Sequence, residues 1–238
     1  MKASVLNQSI SLMERIAAEN DSCMVALSGG KDSLVVLDIA CQCFKTVQAF
    51  FMWIVPGLKC VEEPVDIAAK RHGIIVHKIP HWSLAERFKK GVFSSRNRGE
   101  KLRQQSIRDV EAYLAQKTEI AWHAYGHRQS DSVSRLFYLR KLEGIDRKHC
   151  RLHPIWNWKN QDVAWYLKAR KIQPPADRFG QEGRRMQGFD LNPKSLNWLR
   201  ENHPEDYERV RFFFPEVDII HERESFAANS SGLAASAI

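Results

Sequence analysis

The stretch VALSGGKDSLVVL, residues 25–37, interrupts an apolar run with two glycines, a lysine, an aspartate and a serine, then resumes it. A buried strand that ends in a glycine-rich basic turn and restarts as an apolar helix is an anion cradle. The glycines let the backbone approach a ligand, and the free N–H groups of the turn and of the helix N-terminus point at it. Lys31 adds a mobile positive charge, and Ser28 and Ser33 add hydroxyl donors. The nucleotide motif G-x-x-x-x-G-K-[ST] does not fit. Val25 stands five places before Gly30, and Asp32 follows the lysine. The G-x-G-x-x-G dinucleotide pattern does not fit either.

Working outward, the pattern alternates between strand and helix. Residues 5–19 place Val5, Ile10, Met13 and Ile16 at helical spacing, which predicts an amphipathic lead-in helix. Strands are predicted at 23–27, 47–54, 74–79, 120–126 and 151–155. Helices are predicted at 33–40, 61–73, 81–93, 100–117, 130–142 and 160–170, with Ser83 and Asn160 as caps and Gly73 as a helix stop. The alternation predicts an α/β fold, a mostly parallel five-stranded sheet with helices on both faces. Residues 1–175 form this nucleotide-binding domain. Residues 176–225 form a loop and helical extension, with Pro193 and Pro204 near helix starts. Residues 226–238 are small and polar with little to pack, so a disordered tail is expected.

Composition narrows the partners. Lysine plus arginine outnumber aspartate plus glutamate by 36 to 28 in 238 residues, for a net charge of +8 and a pI near 9.3. That balance favours anions: nucleotides, sulfate or phosphate esters, or nucleic acid. The cysteines Cys23, Cys41, Cys43, Cys60 and Cys150 are odd in number and lack a framework spacing, and the first three sit in apolar runs as small buried hydrophobes. No signal pattern and no membrane-length apolar run is visible, so a reduced, cytoplasmic protein without a membrane partner is expected.

A second constellation, YGHRQSDSVSR, covers residues 125–135. Gly126 ends a strand, Arg128 follows, and a Ser/Asp cluster caps the next helix. Helical side chains lean toward the N-terminus, so Arg135 reaches back toward Arg128. Two guanidiniums beside a helix start suit sulfate, phosphate or a carboxylate.

SGGKDS (28–33) after a first strand resembles the signature of the PP-loop superfamily of adenine-nucleotide enzymes. With GHRQSDSVSR (126–135) and HPIWNWKNQDVAWYL (153–167) in this order, residues 20–172 resemble the phosphoadenosine phosphosulfate (PAPS) reductase group, which includes the small subunit of ATP sulfurylase. The resemblance implies that Ser28, Gly29, Gly30, Lys31, Asp32 and Ser33 cradle phosphate, that adenine lies near Ala26, Leu27 and Trp53, and that Gly126 belongs to the nucleotide-binding set. It implies Arg128 and Arg135 as a sulfate or phosphate clamp. The chain also departs from the group. PAPS reductases work with a tail cysteine, and the last cysteine here is Cys150. The C-x-C at 41–43 is not the pairing of the group's iron–sulfur proteins, so no cluster is expected.

His77–His81, His123–His127 and His149–His153 recur at a four-residue spacing, but the first two pairs fall on strands, so no protein-held metal site is expected. His127, between Gly126 and Arg128, is placed to face a nucleotide. Magnesium carried on the nucleotide's phosphates suits the site better than a caged metal. Residues 87–108 hold Arg87, Lys89, Lys90, Arg96, Arg98, Lys101, Arg103 and Arg108 against Glu100 alone, a solvated face, a substrate cover or a nucleic-acid contact. Arg184 and Arg185 lie in a glycine-rich segment suited either to closing over an anion or to a plain connection.

The expected function is transfer at the α-phosphate or sulfate of ATP or a PAPS-like adenine nucleotide, with Lys31, Arg128 and Arg135 as the catalytic cations and a small oxyanion as partner. Nucleotide-activated sulfur insertion into nucleic acid and non-catalytic nucleotide sensing are the alternatives. The oligomeric state is not legible.

Overall fold

The computed structural model describes residues 2–89, 103–174 and 189–219. The elements run α1 (Lys2–Ala17), β1 (Ser22–Ala26), α2 (Lys31–Cys43), β2 (Thr46–Trp53), α3 (Lys59–His72), β3 (Val76–Pro80) and α4 (Leu84–Lys89). They continue with α5 (Ile107–Thr118), β4 (His123–Ala124), α6 (Val133–Leu142), β5 (Ile145–Asp146), β6 (Arg151–Leu152), α7 (Asn160–Ala169), α8 (Pro193–Asn202) and α9 (Pro204–Phe213). Two compact units are distinguished. One comprises residues 1–53, 61–79 and 106–176, the other 54–60, 80–105 and 177–238.

The first unit carries a six-stranded sheet in the order β3-β2-β1-β4-β6-β5. β1 runs parallel to β2, from Ser22 opposite Thr46 to Ala26 opposite Phe50, and parallel to β4, with Met24 opposite His123. β4 is parallel to β6, and β5 is antiparallel to β6. The sequence predicts five strands. The sixth, β5, has two residues, too few to show any period, and its antiparallel edge position needs no crossover helix. β4 and β6 pair over two residues each, less than the apolar runs suggested.

By the right-handed rule for parallel crossovers, this strand order assigns α2 and α3 to one face and α5 and α6 to the other. The core forms because both faces of β1 are covered: Cys23, Met24 and Val25 are fully buried, as are Val35, Val36, Leu37 and Ile39 of α2. Met13 and Ile16, predicted on the apolar stripe of α1, are fully buried too. Ser9 on α1 donates to the carbonyl of Pro154 at 2.6 Å and accepts from the Trp158 indole at 2.9 Å, which pins α1 to the lead-in of α7.

Asp38, fully buried on α2, is the polar anchor of this face. It accepts from the Tyr166 hydroxyl at 2.6 Å, from Arg170 Nε at 2.7 Å and from Gln42 Nε2 at 3.1 Å. Tyr166 and Arg170 follow from the α7 register, four residues apart on one side. Asn160 does not cap α7 as predicted. Lys159 holds the cap position, and its amide donates to the Asp162 carboxylate at 2.8 Å, the returning half of a capping box.

In the second unit, Leu196, Leu199, Val210, Phe214 and Val217 are buried, and Phe88 stacks on Phe214 with ring centres 5.7 Å apart. Pro193 and Pro204 open α8 and α9 as predicted. Asp206 accepts from the amides of Lys59 and Cys60, capping the start of α3. The run from Lys90 to Lys101, Arg184, Arg185 and the 226–238 tail lie outside the described residues. Among the described residues, no helix is long and apolar enough to cross a membrane.

Asp38→Ala is expected to cost about 3 kcal/mol, because it strands a buried hydroxyl and breaks a charge pair. Urea denaturation measures it, and a loss below about 1 kcal/mol, the worth of one ordinary hydrogen bond, would show that Asp38 is not an anchor.

Candidate functional site

β1, β4 and β6 run parallel, so the segments leaving them towards α2, α6 and α7 start at one edge of the sheet. The winding direction reverses between β1 and β4, and such a reversal opens a crevice at the carboxyl ends of the strands.

The loop after β1 is braced from within. Gly29 has a φ of 73°, a left-handed conformation that favours glycine. Gly30 is extended and precedes α2. Ser33 donates to the Gly30 carbonyl at 2.9 Å, and Ser28 Oγ accepts from the Gly30 amide at 3.3 Å. The two serine hydroxyls are 3.2 Å apart. They thereby hold the loop's shape. The first intrahelical bond of α2 runs from Leu34 N to Gly30 O, which leaves the amides of Lys31, Asp32 and Ser33 for an anion. Ala26 ends β1, Leu27 is buried with its amide on the Phe50 carbonyl, and Trp53 ends β2, half-buried.

Gly126 acts through its missing side chain. A Cβ there would stand 3.0 Å from the Asp32 carbonyl carbon and 3.1 Å from the Ser33 nitrogen. Glycine thus lets the end of β4 lie against the first turn of α2.

Arg128 is buried, 6% exposed, among acceptors from several segments. Nη1 donates to Asn160 Oδ1 at 2.9 Å, Nε lies 3.2 Å from Asp32 Oδ1, and Nη2 lies 3.5 Å from Asp131 Oδ1. The Nε–Asp32 approach is a charge contact whose angle is not that of a hydrogen bond. Burial holds the Asp32 carboxyl above the usual carboxylate range, against the pull of Arg128 and Lys31. Asp131 also accepts from the Arg128 amide at 2.9 Å and from Arg135 Nη1 at 2.9 Å. The Ser132 hydroxyl caps α6 at the Arg135 amide. Arg128 and Arg135 do converge as the sequence suggested, but through Asp131. Arg135 keeps 43% of its side chain exposed.

Lys31 Nζ reaches Asn160 Oδ1 at 3.4 Å, so one amide oxygen joins the loop lysine to Arg128. Asn160 and Asp131 were missed as site residues. The signal was their place at the starts of α7 and α6, where sequence reading assigns caps. Three cations (Lys31, Arg128, Arg135) face two carboxylates (Asp32, Asp131), and the N-termini of three helices add positive potential.

His127 packs against Tyr125 at 5.2 Å and His153 at 5.3 Å, with Tyr125 and His153 5.8 Å apart, in an aromatic layer with Phe50 and His123. Burial pushes the imidazole of His127 down to about 4 and that of His153 to about 3, with nearby arginines adding to the effect. Neither ring nitrogen of His153 has a hydrogen-bond partner among the described residues. Beside them Arg151 makes a two-point pair with Glu111, both bonds 2.7 Å long. No group of three or more His, Cys, Asp or Glu side chains among the described residues is placed to hold a metal. Cys23 is fully buried, and burial pushes the thiols of Cys41 and Cys43 up to about 11.

The family model of the phosphoadenosine phosphosulfate reductase domain matches residues 22–176. Among solved structures, an NH3-dependent NAD synthetase from Campylobacter jejuni, in complex with nitrate, is similar at a TM-score of 0.50 and 13% identity, over 72% of this chain and 74% of that one. The U34-tRNA thiolase NcsA from Methanococcus maripaludis, with its [4Fe-4S] cluster, has a TM-score of 0.45 and 15% identity, over 92% of this chain and 80% of that one. No match to a curated protein was found.

Gly126→Ala is expected to weaken binding of pyrophosphate by about tenfold, the worth of one hydrogen bond to a charged group. Calorimetry tests this, and unchanged binding would mean that the contact with α2 does not shape the loop. A second expectation concerns pH. The histidine pair is neutral when folded, whereas an unfolded histidine takes a proton near pH 6.5. Stability is therefore full above about pH 6.5 and is lost as pH falls towards 4. Thermal melts from pH 8 to 4 should show this slope, and His153→Phe should flatten it.

Proposed function

The chain belongs to the phosphoadenosine phosphosulfate reductase domain family, and on that premise we propose that it binds ATP or a sulfonucleotide and catalyses transfer at the α-phosphate or the attached sulfate. The observation that carries this is the arrangement of free first-turn amides on α2 with Lys31 beside them, at a sheet edge with one net positive charge. The phosphate tail would lie on the amides of Lys31, Asp32 and Ser33, with Lys31 over the leaving pyrophosphate or phosphate. Adenine would lie towards Ala26, Leu27 and Trp53, at the ends of adjacent strands. Arg135, the more exposed guanidinium, would meet the second oxyanion, while buried Arg128 keeps the loop and the second motif in register. Catalysis would come from positioning and charge neutralisation in a direct transfer. Magnesium would arrive on the nucleotide's phosphates. The odd number of cysteines without framework spacing fits a cytoplasmic setting.

The test is incubation with ATP or PAPS, with and without sulfate, a thiol reductant and nucleic acid, followed by chromatography for AMP, pyrophosphate, adenylyl sulfate and sulfite. Adenylyl sulfate from ATP and sulfate, or release of AMP and pyrophosphate, supports transfer at the α-phosphate. Sulfite from PAPS supports transfer at the sulfate. Lys31→Ala should lower the rate at least a hundredfold, the upper end for one charged hydrogen bond. Nucleotide binding without any product would sink the enzymatic reading.

A further inference from the structure

Asn160 sits at the first helical position of α7, where its side chain has no capping duty because Asp162 already receives the cap amide. Its Oδ1 takes Lys31 Nζ at 3.4 Å and Arg128 Nη1 at 2.9 Å. Lysine and arginine side chains only donate, so the oxygen must face them, and the orientation of the amide group is fixed by chemistry. Nδ2, with two N–H donors, then points away from both cations. Asn160 is exposed, and Nδ2 has no hydrogen-bond partner among the described residues.

We infer that Asn160 is a two-sided ligand-binding residue: its oxygen positions Lys31 and Arg128, and its Nδ2 donates to a phosphate or sulfate oxygen of the bound nucleotide. This rests on the reading of the loop as a nucleotide phosphate site. A neutral amide suits the task better than the isosteric carboxylate. A carboxylate would hold the two cations more tightly, but it would turn a donor into an acceptor and repel an incoming anion. The amides of Asn160 and Gln161 precede the first intrahelical bonds of α7, Asp162 N and Val163 N to Lys159 O, so the backbone at this point also offers donors.

The experiment compares ATP binding by calorimetry, and thermal midpoints, for the wild type, Asn160→Ala, Asn160→Asp and Lys31→Ala. Asn160→Ala should weaken ATP binding about tenfold, from losing one hydrogen bond to a charged group. Asn160→Asp should weaken it further while keeping or raising the thermal midpoint, since the new carboxylate sits between two cations. A purely structural asparagine gives the opposite order: the isosteric Asp variant would bind like the wild type. Wild-type affinity in Asn160→Asp, or in both Asn160 variants while Lys31→Ala loses ATP, overturns this inference alone. Wild-type affinity in Lys31→Ala overturns the phosphate-site reading, and this inference with it.

Discussion

A guanidinium out of water must be surrounded by acceptors, and in this protein those acceptors belong to the pieces that must be held together. Arg128 is supplied by Asp32 from the first turn of α2, by Asp131 ahead of α6 and by Asn160 at the start of α7. Leaving any of them out would strand a buried charge, which costs several kcal/mol. The requirement therefore does the work of a clasp, keeping three helix starts, which come from strands far apart in sequence, at one edge of the sheet. The doubly wound topology brings the starts near one another, and the charge fixes them.

Beneath that polar edge lies an aromatic layer kept free of charge. Tyr125, His127 and His153 pack against one another, and burial together with the neighbouring arginines holds the imidazoles towards the neutral form. The Arg151–Glu111 pair is matched charge for charge, the Tyr125 hydroxyl donates to the same glutamate, and buried Asp146 accepts from the Tyr138 hydroxyl. An added proton on His153 would find no hydrogen-bond partner among the described residues, and on either histidine it would sit near Arg135 and Arg151. The site's positive potential and the neutrality of the histidines are thus two sides of one charge distribution.

Much of the fold was legible because its signals are local. The strand, the glycine turn and α2 are contiguous, so SGGKDS announced both the sheet edge and the anion site. Pro193 and Pro204 marked helix starts for the same reason. What stayed hidden depends on contacts across the sequence. The Asn160 side chain meets residues 129 and 32 positions away, so its place at a helix start suggested only a cap. β5 has two residues and no period to detect. The histidine repeat was read as falling on strands, but the contact of His127 with His153, 26 residues away, was hidden. Arg128 and Arg135 were legible as a pair, yet the carboxylate between them was hidden, since Asp131 read equally well as a helix-capping residue.

The internal bracing of the loop has a kinetic consequence. Ser28, Ser33 and Gly30 are hydrogen-bonded to one another, so contacts within the loop hold its shape, and on the nucleotide-site reading the cradle is built by folding. The ordering entropy is met during folding and not at the moment of capture. Encounter with an anion should then proceed at rates set by diffusion and electrostatic steering, with single-exponential association and no slow rearrangement, and differences among ligands should appear in how long each one stays.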